Sequence, residues 1–134
     1  MKASDLFVRC FENEDVTHIF GVPGQESADI MLSLNDSPID LVLCRHEQAA
    51  AFAADVYGRL TGRSGLCLGT LGPGATNLMT GLADAKMYSC PLIAITGQVG
   101  TAVIGTEAFQ ETPTVEISRA ITKHHYLVTR AEDI

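Results

Sequence analysis

The residues of this chain whose types could do chemistry gather at three places, each where an apolar run gives way to a turn. Val22-Pro23-Gly24 closes the run from Thr17 to Val22. Arg45-His46-Glu47 follows the run from Ile39 to Cys44, and Gly72-Pro73-Gly74-Ala75-Thr76-Asn77 follows Gly65 to Leu71. Open parallel sheets bind ligands in the crevice beyond the carboxyl ends of their strands, so three such ends outline a pocket. Glu47 is the carboxylate of the set, and the residues after it are almost all Ala and Phe. The plain account is a helix-start Glu that interacts favourably with the helix dipole. The chemical account is a carboxylate kept in a dry site for proton transfer. Its coincidence with the Gly-Pro-Gly loop favours the second.

The loop also says what kind of ligand to expect. It is not the G-x-G-x-x-G of a dinucleotide fold, because Asn77 stands at the sixth position, and no G-x-x-x-x-G-K-[ST] phosphate loop occurs. Pro73 removes a backbone donor that a phosphate would use. A flat heteroaromatic ring, packed on Pro and Gly and hydrogen-bonded by Asn, fits better. His18, His46, His124 and His125 form no ligand-spaced set. Cys10, Cys44, Cys67 and Cys90 form no C-x-x-C pair and read as four buried thiols in a reducing cytoplasm.

Elements that would position these groups alternate along the chain. Ser4 is expected to cap a first helix with Leu6, Phe7, Cys10 and Phe11 on one face. Strands are expected at Thr17 to Val22, Ile39 to Cys44, Gly65 to Leu71, Pro91 to Gly97 and His124 to Val128. Helices are expected at Ser27 to Leu34, from Glu47 to Thr61-Gly62, at Asn77 to Tyr88 and near Pro113 to Ile121. Gly100 to Glu111 lacks periodicity and reads as an active-site loop. The pattern predicts an α/β fold, three-layer αβα, with a parallel doubly wound sheet. Thr129-Arg130-Ala131-Glu132 has the spacing of a capping box, which opens a helix two residues before the last residue. That spacing predicts a fragment of a longer protein.

Composition narrows the function. With 134 residues, 46% hydrophobic and 19% charged, the chain suits one domain with one core. A net charge of −7 without a Lys/Arg cluster argues against nucleic acid as partner. No apolar run reaches the roughly 18 residues of a membrane span, and the first residues lack the apolar centre of a signal peptide. The sequence reading is therefore a cytoplasmic protein with neither nucleic acid nor membrane as partner.

The sequence resembles the N-terminal, pyrimidine-binding domain of thiamine-diphosphate enzymes, and within them the catalytic subunit of acetolactate synthase. The resemblance is carried by Gly21-Val22-Pro23-Gly24, Arg45 to Ala50, Gly72 to Asn77, Gly81 to Ala85, Ala94 to Val99 and Ala108-Phe109-Gln110-Glu111-Thr112. Gln25 stands where the family carries a second Gly. The resemblance implies that residues 1–134 are the pyrimidine-binding domain, without the central and the diphosphate/magnesium-binding domains. It implies that Glu47 hydrogen-bonds the aminopyrimidine ring nitrogen and favours the imino tautomer, whose exocyclic nitrogen takes the proton from the thiazolium carbon. Val22, Pro23, Gly24, Pro73 and Asn77 would line the ring. Gln110 would lie near the reactive end of the cofactor and Phe109 beside the substrate, with Glu47 and Gln110 catalytic. No metal ligand falls within these residues, and no Gly-Asp dipeptide of the magnesium site occurs.

For the whole enzyme the same resemblance implies decarboxylation of a 2-keto acid such as pyruvate and carboligation to a second, in branched-chain amino-acid biosynthesis. It leaves room for FAD, for a homodimer or homotetramer, and for a regulatory small subunit. The small face at Ala49, Ala50, Ala53 and Ala54 is expected to admit a partner's backbone, and the isolated domain to be inactive. Pyruvate oxidase- or decarboxylase-like and 2-hydroxyacyl-CoA lyase-like enzymes are the neighbouring readings, and a non-catalytic binding module the distant one.

Overall fold

The structure, a computed structural model, describes residues 1–134. Four strands make one sheet: β1 (His18–Gly21), β2 (Asp40–Leu43), β3 (Gly65–Gly69) and β4 (Leu92–Thr96). All pairings are parallel and the order is β2-β1-β3-β4. The register sets Phe20 beside Val42 on one side and Cys67 on the other, and Cys67 beside Ala94. Parallel neighbours need crossovers, and helices supply them: α2 (Ala28–Leu34), α3 (Glu47–Thr61) and α4 (Pro73–Met87), with α1 (Ala3–Asn13) before the sheet and α5 (Thr114–Ser118) after it.

The two faces of the sheet carry two cores, because successive side chains of a strand point opposite ways. Ile19, Leu66 and Leu68 pack with Val8 of α1, Leu34 of α2 and Ile39. Cys67, between Leu66 and Leu68, points the other way and packs with Ala50, Ala51 and Ala54 of α3 and with Leu78 and Leu82 of α4. The fold is thus three-layer αβα, doubly wound. Burial pushes the Cys67 thiol up to about 12.

The strand order places a switch point in the middle. After β1 the chain moves to one side to form β2, then crosses back to form β3 on the other side. Ligand crevices of open α/β sheets lie at such reversals. Here the crevice lies between the carboxyl ends of β1 and β3, which are Gly21-Val22 and Gly69-Thr70.

Several expectations are corrected. No strand forms at His124 to Val128, despite β-forming side chains, because a strand needs a ladder and this stretch pairs with none. The helix after β3 begins at Pro73, not Asn77, since proline at the first helical position has its φ preset and needs no donor. Ser4 does not cap α1. Lys2 stands at the N-cap, its backbone N–H donating to Asp5 Oδ2 at 3.0 Å, while Ser4 accepts a hydrogen bond from Ser33 of α2. That docking turns Val8, rather than Cys10, into the core. Only Cys67 of the four cysteines is buried, and Cys10 is exposed. Ala50 and Ala54 are fully buried inside the chain's own α3–sheet contact, so half of the small-residue face is closed to a partner. The capping-box segment makes a single 3-10 turn over Ala131–Asp133, held by the Arg130–Asp133 ion pair.

Candidate functional site

β2 ends at Leu43, and three residues later His46 caps α3, its Nδ1 accepting the backbone N–H of Gln48 at 3.1 Å. That ring is committed to capping the helix backbone. The cap directs Glu47, the first residue of α3, inward, where it is half-buried. Asn77, in the second turn of α4, donates its Nδ2 to Glu47 Oε2 at 2.9 Å. Glu47 makes no ion pair. Its Oε1 lies over the bare backbone of Gly74, where a Cβ would come within 3.2 Å of it and within 2.8 Å of Thr70 Oγ1.

Thr70 links this carboxylate to the end of β1. A Cβ on Gly24 would collide with Thr70 Cγ2, so the Pro23-Gly24 turn approaches β3 as only glycine allows. Ser27 fixes that turn: its hydroxyl accepts the Gly24 N–H and donates to the Gly24 carbonyl, each at 3.0 Å. Val22 extends the ladder through its N–H to the Leu68 carbonyl. Gly24, Thr70, Gly74 and Glu47 therefore pack against one another at the switch point.

Gly72 turns the chain from β3 into α4 with φ +51°. Its open side is covered by Gln110, whose Cβ lies 3.0 Å from where a Gly72 Cβ would stand. The Gly100–Thr112 loop thereby reaches the mouth of the site. Gln110 itself has φ +61° and is solvent-exposed.

A family model described as "Thiamine pyrophosphate enzyme, N-terminal TPP binding domain" matches residues 1–117. The chain belongs to this family. It is similar to acetolactate synthase 2, chloroplastic, of Nicotiana tabacum, with 55% identity over 99% of the chain and 20% of that protein. Acetolactate synthase, chloroplastic, of Arabidopsis thaliana is 53% identical over 99% of the chain and 20% of its own length. Acetolactate synthase 1, chloroplastic, of Oryza sativa subsp. japonica is 53% identical over 99% and 21%. The chain spans about a fifth of the length of these curated relatives.

In this TPP-binding domain the structure brings together Glu47, Asn77 and Gly24, with Gln110 at the rim. Pro73 is exposed at the start of α4, and Pro23 is exposed beside Gly24. Phe109 is 86% exposed, its ring in solvent rather than against the Glu47 site. Sequence reasoning missed Thr70 and Ser27. Thr70 carried a signal, a hydroxyl closing an otherwise apolar strand; Ser27 carried none beyond its turn. Reasoning from the residues also left Glu47 without a partner inside the chain, whereas Asn77 supplies one. The Gly81-Leu82-Ala83-Asp84 stretch proves to be scaffold. Arg59 of α3 forks onto the buried Asp55 and reaches Asp84 of α4 at 2.8 Å, with its guanidinium 4.5 Å from the Tyr88 ring centroid. This ties the C-terminal parts of α3 and α4 together.

Proposed function

We propose that the chain is the pyrimidine-binding part of a thiamine-diphosphate-dependent acetolactate synthase, which decarboxylates a 2-keto acid such as pyruvate and joins the remainder to a second 2-keto acid. The observation that carries this is Glu47: a half-buried carboxylate without a counter-ion, one oxygen held by a neutral amide, at the switch point of the sheet. The fit to an aminopyrimidine is chemical. A flat ring needs an exposed apolar surface to lie on, which Pro23 after β1 and Pro73 at the start of α4 offer. A ring nitrogen that is to gain a proton needs a carboxylate not already neutralised by a cation.

When bound, thiamine diphosphate supplies the electron sink for the carbanion left as carbon dioxide departs. The residues of this chain bind and orient. Glu47 holds a proton at the ring nitrogen, Asn77 fixes the carboxylate, and the Ala-rich start of α3 keeps water from it. Val22, Pro23, Gly24 and Pro73 line the ring. Gln110 acts near the reactive carbon, and Phe109 stands on the substrate side once a second domain closes over its exposed ring. We assign magnesium and the diphosphate to another domain of a longer protein, with FAD as an additional group there. The partner is a second copy, in a homodimer or homotetramer, and a regulatory small subunit is consistent with this class of enzyme. The exposed apolar side chains Leu43, Val56, Leu60, Met87 and Tyr88 on α3, α4 and the β2 edge suit such contacts. The similarity to three plant acetolactate synthases supports the branch.

The test is product analysis. The full-length enzyme, with thiamine diphosphate and magnesium, is expected to convert pyruvate to 2-acetolactate. Acetaldehyde or acetyl phosphate as the sole product would place it instead with the decarboxylase or oxidase relatives.

A further inference from the structure

Gly100–Thr112 forms a single 3-10 turn over Thr101–Val103, and beyond that turn one side chain, Glu111, ties the loop together. Glu111 Oε1 accepts the backbone N–H of Gly105 and Oε2 accepts that of Ala108 at 3.1 Å. The carboxylate bridges two amides three residues apart, and its charge makes each such bond stronger than a neutral one. These amides, Gly105 first, hold the Glu111 carboxyl below its ordinary range. Gln98 closes the exit of the loop, its Nε2 donating to the Thr112 carbonyl at 3.2 Å and its Oε1 accepting the Val99 N–H at 2.8 Å.

The backbone between these anchors is bent. Gly105, Glu107 and Gln110 all lie at positive φ, and a non-glycine residue stays there only when its surroundings enforce it. Gln110 is the immediate neighbour of Glu111 and presses its carbonyl and Cβ onto Gly72. Gly72 in turn starts the helix that carries Gly74 and Asn77.

We propose that Glu111 is a positioning residue: by collecting the amides of Gly105 and Ala108 it folds the loop so that Gln110 stays seated on Gly72, at the mouth of the Glu47 site. The proposal rests on the reading of Gln110 as the group near the reactive carbon. It gives Glu111 a task distinct from that of a solvated loop carboxylate, which would affect stability alone. Glu111→Gln keeps the size of the side chain but leaves one acceptor where two are needed, and turns an NH2 toward a backbone N–H.

The experiment is a double-mutant cycle in the full-length enzyme, with Glu111→Gln, Gln110→Ala and the pair. Residues that act as a unit show coupled effects. Glu111→Gln is expected to lower kcat/KM for pyruvate roughly tenfold, but by less than about twofold when Gln110 is already Ala. Deuterium exchange at the cofactor C2 should stay near wild type in Glu111→Gln, because Glu47 and Asn77 are untouched. Amides 105–108 should exchange faster, with melting temperature little changed. Wild-type activity of Glu111→Gln, or additive effects in the pair, would overturn the proposal, as would C2 exchange and melting temperature falling together. A Gln110→Ala enzyme with wild-type kinetics would separately remove the role given to Gln110, and this proposal with it.

Discussion

Asn77 Nδ2 donates to Glu47 Oε2 at 2.9 Å, across 30 residues of sequence, so the N-terminal ends of α3 and α4 meet at one carboxylate. A neutral amide fixes the rotamer of Glu47 without pairing its charge. An Arg or Lys in the same place would hold the carboxylate ionised and oppose proton sharing. Glu47 thus has a fixed geometry and no counter-ion.

It follows that Asn77 acts through Glu47. Replacing Asn77 with Ala in the full-length enzyme frees Oε2 to rotate and should slow cofactor C2 exchange by roughly tenfold, the scale of a misplaced acid–base group. Asn77→Asp should be worse, because a second carboxylate at hydrogen-bond distance raises the proton affinity of the pair and leaves it protonated. The measurement is C2 deuterium exchange by NMR, with cofactor affinity determined in parallel. If Ala and Asp variants both lose affinity while C2 exchange is unchanged, Asn77 contacts the ring directly and does not serve Glu47.

The second prediction concerns the tie between the two helices. Asp55 is 1% exposed and Arg59 is its counter-ion. Burial, the largest single influence, would raise the Asp55 carboxyl, but the hydrogen bond and charge of Arg59, with hydrogen bonds from Cys90 and Asp84, together outweigh it and hold the group below its ordinary range. Arg59→Met leaves that carboxylate buried and unpaired, a change that costs about 3 kcal/mol of stability, the low end for a broken buried pair since Arg59 is itself partly exposed. Asp84→Asn, at the exposed end of the network, should cost less than about 1 kcal/mol. A carboxyl whose pKa is depressed by folding stabilises fully above its unfolded value and loses that stabilisation as pH falls through the folded one. The difference between wild type and Arg59→Met should therefore be full near neutrality, begin to shrink as pH falls through the raised range where the variant's unpaired Asp55 takes its proton, and shrink further below about pH 4 as wild type loses its own stabilisation. Denaturant titration at several pH values tests it; a difference independent of pH would refute the assignment.

The third prediction uses the collision that glycine avoids. Gly24→Ala drives a methyl into Thr70 Cγ2 and should push the Pro23-Gly24 turn off β3, weakening thiamine diphosphate binding in the holoenzyme. Thr70→Ser removes only Cγ2 and retains the hydroxyl. The pair Gly24→Ala with Thr70→Ser should regain much of the lost affinity, read by magnesium-dependent cofactor titration. No recovery in the pair would mean that Gly24 is needed for its own contact with the ring, not for its fit against Thr70.

Much of this arrangement was legible in the sequence because its causes are local. The apolar runs ending in Gly or Pro gave the parallel strands, and the small residues after Glu47 gave α3 and its stop at Gly62. Glu47 stood out because the next turn of its helix, Ala49-Ala50-Ala51, offers a carboxylate neither a counter-ion nor a hydrogen-bond donor. What escaped was non-local. The Glu47–Asn77 bond joins residues 30 apart, and Thr70 meets Gly24 only because β1 and β3 are neighbours in the sheet. His124 to Val128 misled for the same reason: its side chains suit a strand, but pairing is decided by what lies alongside.

The final prediction is Glu47→Gln in the full-length enzyme, and the Asn77 bond sharpens it. With Asn77 Nδ2 donating, the substituted amide is expected to turn its oxygen toward Asn77 and its NH2 toward the pocket. The ring nitrogen would then meet a donor that cannot transfer its proton, in place of a carboxyl that can. Folding should survive, since a half-buried charge without an ionic partner is removed. Cofactor affinity should fall less than reactivity, because the lost interaction strengthens as the proton moves. Turnover is expected to drop by roughly 10²-fold or more, the range of a general acid–base group. C2 deuterium exchange in the holoenzyme should slow in parallel. If the Gln variant exchanges at the wild-type rate, Glu47 is only the carboxylate that begins α3, and the site's proton chemistry must be sought elsewhere.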